Sequence, residues 1–276
     1  MINCQKASEK AGLNKSELEN LSLIAREAVG LGSKVLNKYY GNIRTVENKG
    51  NIGDLVTNAD LEAEETIVEF LNLRTKDIGI LAEEGGEIGE QSKLYWCIDP
   101  LDGTTNFAHG YPFFGTSIGL IWEKQPILGA ISVPRLNETY WAAPMLGAHC
   151  NHKEISVSIT NKLIESLLVT GFAYDRLKTN DNNYAEFCSL TNKTRGVRRS
   201  GAAAIDLAFL AAGRVDGYWE KGLQRWDLAA GVAIVELAGG VVTDYKSNTF
   251  DITTGRVLAV TPGIEMELKK ELYNIK

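Results

Sequence analysis

Apolar residues recur every three to four positions over residues 16 to 41, where Leu18, Leu21, Ile24, Ala25, Ala28 and Leu31 form one stripe. That period predicts a long helix packed along one side. A second amphipathic helix is expected over residues 59 to 74. The period then changes. Ile78 to Leu81 and Leu94 to Ile98 are short apolar runs that read as buried strands. Residues 115 to 151 alternate strands and turns: Gly115 to Trp122, Ile127 to Val133 and Thr139 to Ala143, with Glu123-Lys124-Gln125-Pro126 as a hairpin turn. This is an antiparallel meander and not a dinucleotide-binding pattern. After Ser156-Val157-Ser158 strand and helix alternate again. An apolar helix runs to about Ala212, a strand covers Asp216 to Glu220, and an apolar helix opens at Trp226 and continues through Ala238. The alternation predicts an α/β (α+β) fold. A boundary near residue 155 separates a lobe of residues 1–155 from one of residues 156–276, with no Gly/Ser linker between them. The lobes should therefore pack tightly.

Composition narrows the function classes. At 276 residues the chain can bury a large core. A net charge of −6 argues against a general nucleic-acid binder. The N-terminal residues lack a basic segment followed by an apolar one, and no apolar run has transmembrane length, so no membrane association is expected. Cys4, Cys97, Cys150 and Cys188 are widely spaced without a CxxC pair, which disfavours zinc and a disulfide framework and suits a reducing cytoplasm. His109, His149 and His152 form no ligand cluster by spacing, so zinc or histidine-based hydrolysis is disfavoured.

The candidate chemistry lies in the acids. In Trp96-Cys97-Ile98-Asp99-Pro100-Leu101-Asp102-Gly103-Thr104-Thr105-Asn106-Phe107 two carboxylates stand three residues apart behind an apolar strand. Pro100 has no N–H, so the strand is expected to stop near Asp99. Asp99, the carbonyl of Leu101 and Asp102 are hard oxygen donors of the kind Mg²⁺ prefers. Gly103-Thr104-Thr105-Asn106 resembles a helix start whose free N–H groups favour an anion. An isolated Asp-x-x-Asp is more often a solvated turn; here other acids recur in suitable places. Asp60 sits where a helix N-cap would, Glu83-Glu84 closes a strand before Gly85-Gly86, and Asp227 stands near a helix start.

Asp60, Glu83, Asp99, Asp102 and Asp227 together resemble the inositol monophosphatase family of Mg²⁺-dependent, lithium-sensitive phosphatases. Its central signature is matched by Asp99 to Phe107. Its second is matched by Trp226 to Gly231 with Gly239-Gly240, and further motifs by Asp54 to Asp60 and Glu83-Glu84. The resemblance implies an α-β-α-β-α sandwich with the site between the lobes, a homodimer, and two to three Mg²⁺ ions. It implies that Glu83, Asp99 and the Leu101 carbonyl bind the first ion and that Asp99, Asp102 and Asp227 bind the second, with a third reaching Glu83 through waters. Thr104 and Asp60 resemble the pair that orients and deprotonates the attacking water. Backbone N–H groups of Gly103 and Thr104 would hold the phosphate, and Lys49 matches a lysine near the metal loop.

The substrate implied is a small phosphorylated cyclitol or sugar, with inositol 1-phosphate first. By register Ala203 and Glu220 face its hydroxyls, and a carboxylate suits such a reader. Lys221 to Arg225 form a variable loop, and Arg225 could support a second phosphate, so fructose-1,6-bisphosphate, histidinol phosphate and nucleotide 3′-phosphates remain alternatives. Arg198 and Arg199 read as surface charges. Some bacterial relatives also act as binding proteins of the transcription machinery, which is a second class of function.

Overall fold

The computed structural model describes residues 3–42, 46–48, 55–89, 92–245 and 249–275. The long stripe folds as α2 (Lys15–Tyr39), preceded by α1 (Asn3–Lys10), which the periodicity does not predict. Asn14 caps α2 in a capping box with Glu17. Leu18, Leu21, Ile24, Ala25 and Ala28 are buried, whereas Leu31 lies at the stripe's margin and Gly32 and Leu36 take over the buried line. After β1 (Val46–Asn48) and β2 (Leu55–Thr57) comes α3 (Asn58–Arg74).

The larger sheet holds β3 (Gly79–Ala82), β4 (Gly86–Ile88), β5 (Leu94–Asp102), β6 (Gly115–Trp122), β7 (Gln125–Val133), β8 (Glu138–Ala143), β9 (Gly147–Cys150) and β10 (Lys153–Glu154). Its order is β10-β9-β8-β7-β6-β5-β3-β4, with α4 (Thr104–Ala108) between β5 and β6. The meander of β6 to β10 is antiparallel as expected. Two expectations are corrected. The hairpin turn is only Glu123-Lys124, because Pro126 is accepted inside β7, where the pairing with β6 shifts register and an N–H can be spared. β5 does not stop at Asp99 but continues to Asp102, and Pro100 again falls in a register shift. The strand β4, which starts at Gly86, pairs antiparallel with β3.

The smaller sheet contains β11 (Leu167–Thr170), β12 (Gly196–Arg198), β13 (Gly217–Glu220), β14 (Val241–Thr243) and β15 (Val257–Val260), ordered β12-β11-β13-β15-β14. Helices α5 (Tyr184–Thr191), α6 (Ala203–Ala211), α7 (Arg225–Leu237) and α8 (Glu265–Asn274) complete the chain.

Apolar clusters define the layers. Leu18, Ile24, Ile67 and Leu71 of α2 and α3 pack on Trp96, Ile98, Ile118 and Leu120 of the larger sheet. Cys97, Ile121, Ile131 and Val133 on its other face meet Leu207 and Leu210 of α6 and Leu228 and Val232 of α7. The same cluster reaches Tyr218, Val257 and Ala259 of the smaller sheet. Trp219, Leu258 and Val260, on the alternate face, pack on Leu190, Leu268 and Leu272 of α5 and α8. The result is the α-β-α-β-α layering. Each fully buried Leu, Ile or Phe contributes about 1.5–3 kcal/mol.

The middle layer is held by close approach. A Cβ on Gly119 of β6 would lie 2.6 Å from the Ala229 Cβ, and one on Gly129 of β7 would lie 2.5 Å from the Ala230 Cα. Only a bare backbone lets α7 sit this near the sheet. Gly129→Ala is expected to destabilise the protein by about 1–3 kcal/mol and to shift α7. Urea unfolding of the variant checks this; an unchanged midpoint would mean that the helix yields without cost.

Candidate active site

The period-two alternation of β5 decides where Asp99 points. Trp96 and Ile98 face the outer helices while Cys97 packs toward α6 and α7, so Asp99 turns to the central helical layer. Its Oδ1 accepts the Leu101 N–H at 3.0 Å, which shapes the bulge across Pro100. Pairing resumes at Asp102, opposite Gly115. Gly103 then adopts a left-handed φ of +87° and ends in α4. A Cβ there would stand 3.0 Å from the Phe113 carbonyl, so conformation and space both require glycine.

Asp60 is fully buried, but it is not the N-cap of α3. Thr57 is the cap, and Asp60 is the third helical residue of its capping box. Asp60 Oδ2 accepts from the Thr57 N–H at 2.9 Å and from the Thr57 hydroxyl at 2.5 Å. The Thr104 hydroxyl lies 3.2 Å from Asp60 Oδ1 and 3.0 Å from the Leu101 carbonyl, so one proton serves two acceptors. Burial lifts the Asp60 carboxyl to about 6, the Thr57 hydrogen bonds work against that rise, and the charge of Glu83 adds to it.

Glu83 follows β3, and its N–H donates to the Ile98 carbonyl at 3.2 Å, which draws this turn to β5. The charge of Glu83 is, after burial, the largest cause that raises the Asp99 carboxyl. Asp102 Oδ2 accepts the Ile205 N–H at 3.1 Å, and the N–H groups of Ala203 and Ala204 also face it. The start of α6 is thereby fixed against the end of β5. Asp227, the third residue of α7, accepts the Gln224 N–H at 2.6 Å. Burial is the largest cause of the raised carboxyls of Asp99, Asp102 and Asp227. Asp102 reaches about 7, and each of the three also feels the charge of Glu83. Burial and Asp227 push the Cys97 thiol up, which makes it an inert core group.

Four acids from three elements, at the ends of β3 and β5 and the start of α7, therefore lie within electrostatic reach. Among the described residues no three yet form a closed ligand set. Asp102 and Asp227 are instead each held by a backbone donor, the N–H of Ile205 and of Gln224. The donor chemistry fits Mg²⁺: hard carboxylate oxygens and a buried backbone carbonyl, with no nitrogen or sulfur ligand required. Lys49 and Asp54 lie outside the described residues.

Glu220 ends β13 and is buried, not an exposed loop acid. Burial lifts its carboxyl to about 7. Arg199 is exposed as expected, yet its charge reaches Glu220 and Asp206. Ala203 opens α6 and presents its N–H to Asp102. A cavity of about 420 Å³ opens beside Arg225, Leu81 and Tyr95, but none of the five acids lines it; the converging charges, not this cavity, mark the site.

Two residues of the site escape a reading by motif. Glu64 is buried on α3 and accepts the N–H groups of Glu84 at 2.9 Å and Gly85 at 2.7 Å, so it shapes the Glu83 turn. Its spacing of four from Asp60 on a packed helix face is the signal that could have revealed it. The Asn106 amide donates to the carbonyls of Phe113 at 2.7 Å and Ser200 at 2.9 Å, which ties α4 to the segment before α6. No local signal announces that long-range tie.

This geometry has counterparts. The family model described as "Inositol monophosphatase family" matches residues 17–275. An inositol-1-monophosphatase of Synechocystis is 49% identical over 267 residues, covering 96% of this chain and 93% of the relative. A protein of Pasteurella multocida named Nus factor SuhB is 35% identical over 253 residues, covering 91% and 95%. The solved structure of inositol monophosphatase from Anabaena (Nostoc) superposes with a TM-score of 0.87 at 47% identity, covering 94% of this chain and 97% of that one. With its layered sheets, its clustered acids and these matches over nearly the whole length, the chain belongs to the inositol monophosphatase family and is a phosphoric monoester hydrolase.

Proposed function

We propose that the protein hydrolyses small phosphorylated cyclitols or sugars, with myo-inositol 1-phosphate as the preferred substrate, in a Mg²⁺-dependent and lithium-sensitive reaction. The observation that carries this reading is the convergence of Glu83, Asp99, Asp102 and Asp227 beside the Gly103–Thr104 turn and the Asp60–Thr104 pair. Glu83, Asp99 and the Leu101 carbonyl would hold one Mg²⁺, Asp99, Asp102 and Asp227 a second, and Glu83 would contribute to a third. Bound ions of this kind lower the pKa of water and offset phosphoryl charge.

The chain's own groups supply the rest. Thr104 Oγ1 places a water through its lone pairs, and Asp60 takes the proton relayed by that hydroxyl. The N–H groups of Gly103 and Thr104, at the start of α4, receive a phosphate oxygen. Glu220 and the Ala203 end of α6 face the ring hydroxyls. The intact acid set supports catalysis. The Nus factor name of one relative supports a second role, binding to the transcription machinery.

Phosphate release from a panel of cyclitol, sugar and nucleotide phosphates is expected to need Mg²⁺, to fall with Li⁺ and to be fastest for inositol 1-phosphate. Faster release from fructose-1,6-bisphosphate or histidinol phosphate would overturn the substrate assignment. Asp60→Asn is expected to lower kcat about 10²–10⁴-fold while the protein still gains thermal stability from Mg²⁺; retained kcat would remove Asp60 from the proton path.

The pH dependence has a defined sign. With the Asp99, Asp102 and Asp227 carboxyls raised, the folded protein holds protons that the unfolded chain has released above about pH 4. Metal-free stability therefore falls as pH rises from there through about 7, the Asp102 value. Mg²⁺ must displace the same protons. At equal Mg²⁺ the rise in Tm should be a few degrees larger at pH 8 than at pH 6, and thermal melts check this; equal rises would argue against these ligands. For the second role, Asp99→Asn is expected to keep any association with RNA polymerase in a pull-down from cell extract. Loss of association with the variant would tie it to the catalytic site instead.

A further inference from the structure

We infer that Tyr218, Gly171 and Asn183 are positioning residues that hold the Glu220 carboxylate in one place, so that its free oxygen selects substrates with a hydroxyl near the phosphorylated carbon. The inference rests on the reading of Glu220 as a substrate contact given above. Tyr218 and Glu220 are two apart on β13 and share one face of the strand. The Tyr218 hydroxyl donates to Glu220 Oε2 at 2.7 Å. Both residues are buried, and among the described residues no other donor bonds to the carboxylate. Oε1 is thus left to accept from a ligand.

The opposite wall is bare backbone. A Cβ on Gly171 would lie 2.2 Å from both carboxylate oxygens of Glu220, closer than any side chain permits. Glycine therefore gives the carboxylate its seat, and the seat is itself locked. The Asn183 amide donates to the Gly171 carbonyl and to Thr170 Oγ1, each at 2.7 Å, and its Oδ1 accepts the Trp219 indole N–H at 2.6 Å. The Thr170 hydroxyl in turn donates to the Trp219 carbonyl across the β11–β13 pairing. Asn183 is 2% exposed and spends both N–H bonds on the stretch beside Glu220. It also takes a left-handed φ of +68°, which asparagine tolerates better than most residues. Tyr218 fixes the carboxylate from one side. Gly171, held by Asn183, limits it from the other. A substrate hydroxyl then meets an acceptor whose position is already set, which is where selectivity for a hydrogen-bonding group is greatest.

The test compares kcat and KM for myo-inositol 1-phosphate and for cyclohexyl phosphate, which has the same ring without hydroxyls, at one fixed Mg²⁺ concentration. The readout is the ratio of the two kcat/KM values. Tyr218→Phe and Gly171→Ala are each expected to lower this ratio about tenfold, chiefly through a higher KM for the inositol ester. Asn183→Asp is expected to move it in the same direction. A merely structural role would depress both substrates in parallel and leave the ratio unchanged, which would overturn the inference. Glu220→Gln separates the two levels. If it lowers the ratio while Tyr218→Phe and Gly171→Ala do not, Glu220 reads the hydroxyl unaided and the positioning roles are wrong. If none of these variants moves the ratio, or the native protein does not prefer the inositol ester, the assignment of Glu220 falls and the inference with it.

Discussion

The site depends on how closely α7 presses against the larger sheet. Gly119 and Gly129 present bare backbone to Ala229 and Ala230, and Gly231 does the same for Leu207 of α6. Small residues on both sides let helix and strands approach until their backbones nearly touch. Asp227 lies two residues before Ala229, so the same contact sets its distance from Asp99 and Asp102. Packing density and electrostatics are thus one problem here. A larger residue at the contact would lift the helix and spread the charges.

Gathering those charges has a cost that the fold partly offsets. Each of four acids is anchored by a backbone N–H: the buried Asp60 by Thr57, Asp99 by Leu101 and Asp102 by Ile205, and the half-buried Asp227 by Gln224. Such bonds favour the ionised form, yet burial wins for all four and keeps the carboxyls raised. The arrangement is preorganised in position and frustrated in charge. On the proposed reading, divalent cations relieve the frustration, so stability and activity would share one ligand set.

The long helices and the strands of the meander were legible because their signals are local. The α2 stripe, the meander of β6 to β8 and the strand–helix alternation after residue 156 follow from period and turn residues. The same holds for the identities of the five acids, which recur in motif contexts. Where local rules failed, a distant partner intervened. Pro100 and Pro126 stay within strands because the pairing with β6 shifts beside them. Asp60 yields the cap to Thr57 because its side chain reaches back to that residue and across to Thr104.

The sequence alone determined the long helices, the antiparallel meander and which acids are candidates, since these need only neighbours within a turn of helix, a stretch of strand or a short motif. Tertiary structure decided that Glu64 shapes the Glu83 turn, that Asn106 ties α4 to residue 200, and that Glu220 lies buried between Tyr218 and Gly171. Each of these relations joins residues whose meeting is set by packed layers. A missing Cβ or a single amide carries no meaning in a sequence until the backbone it approaches is in place.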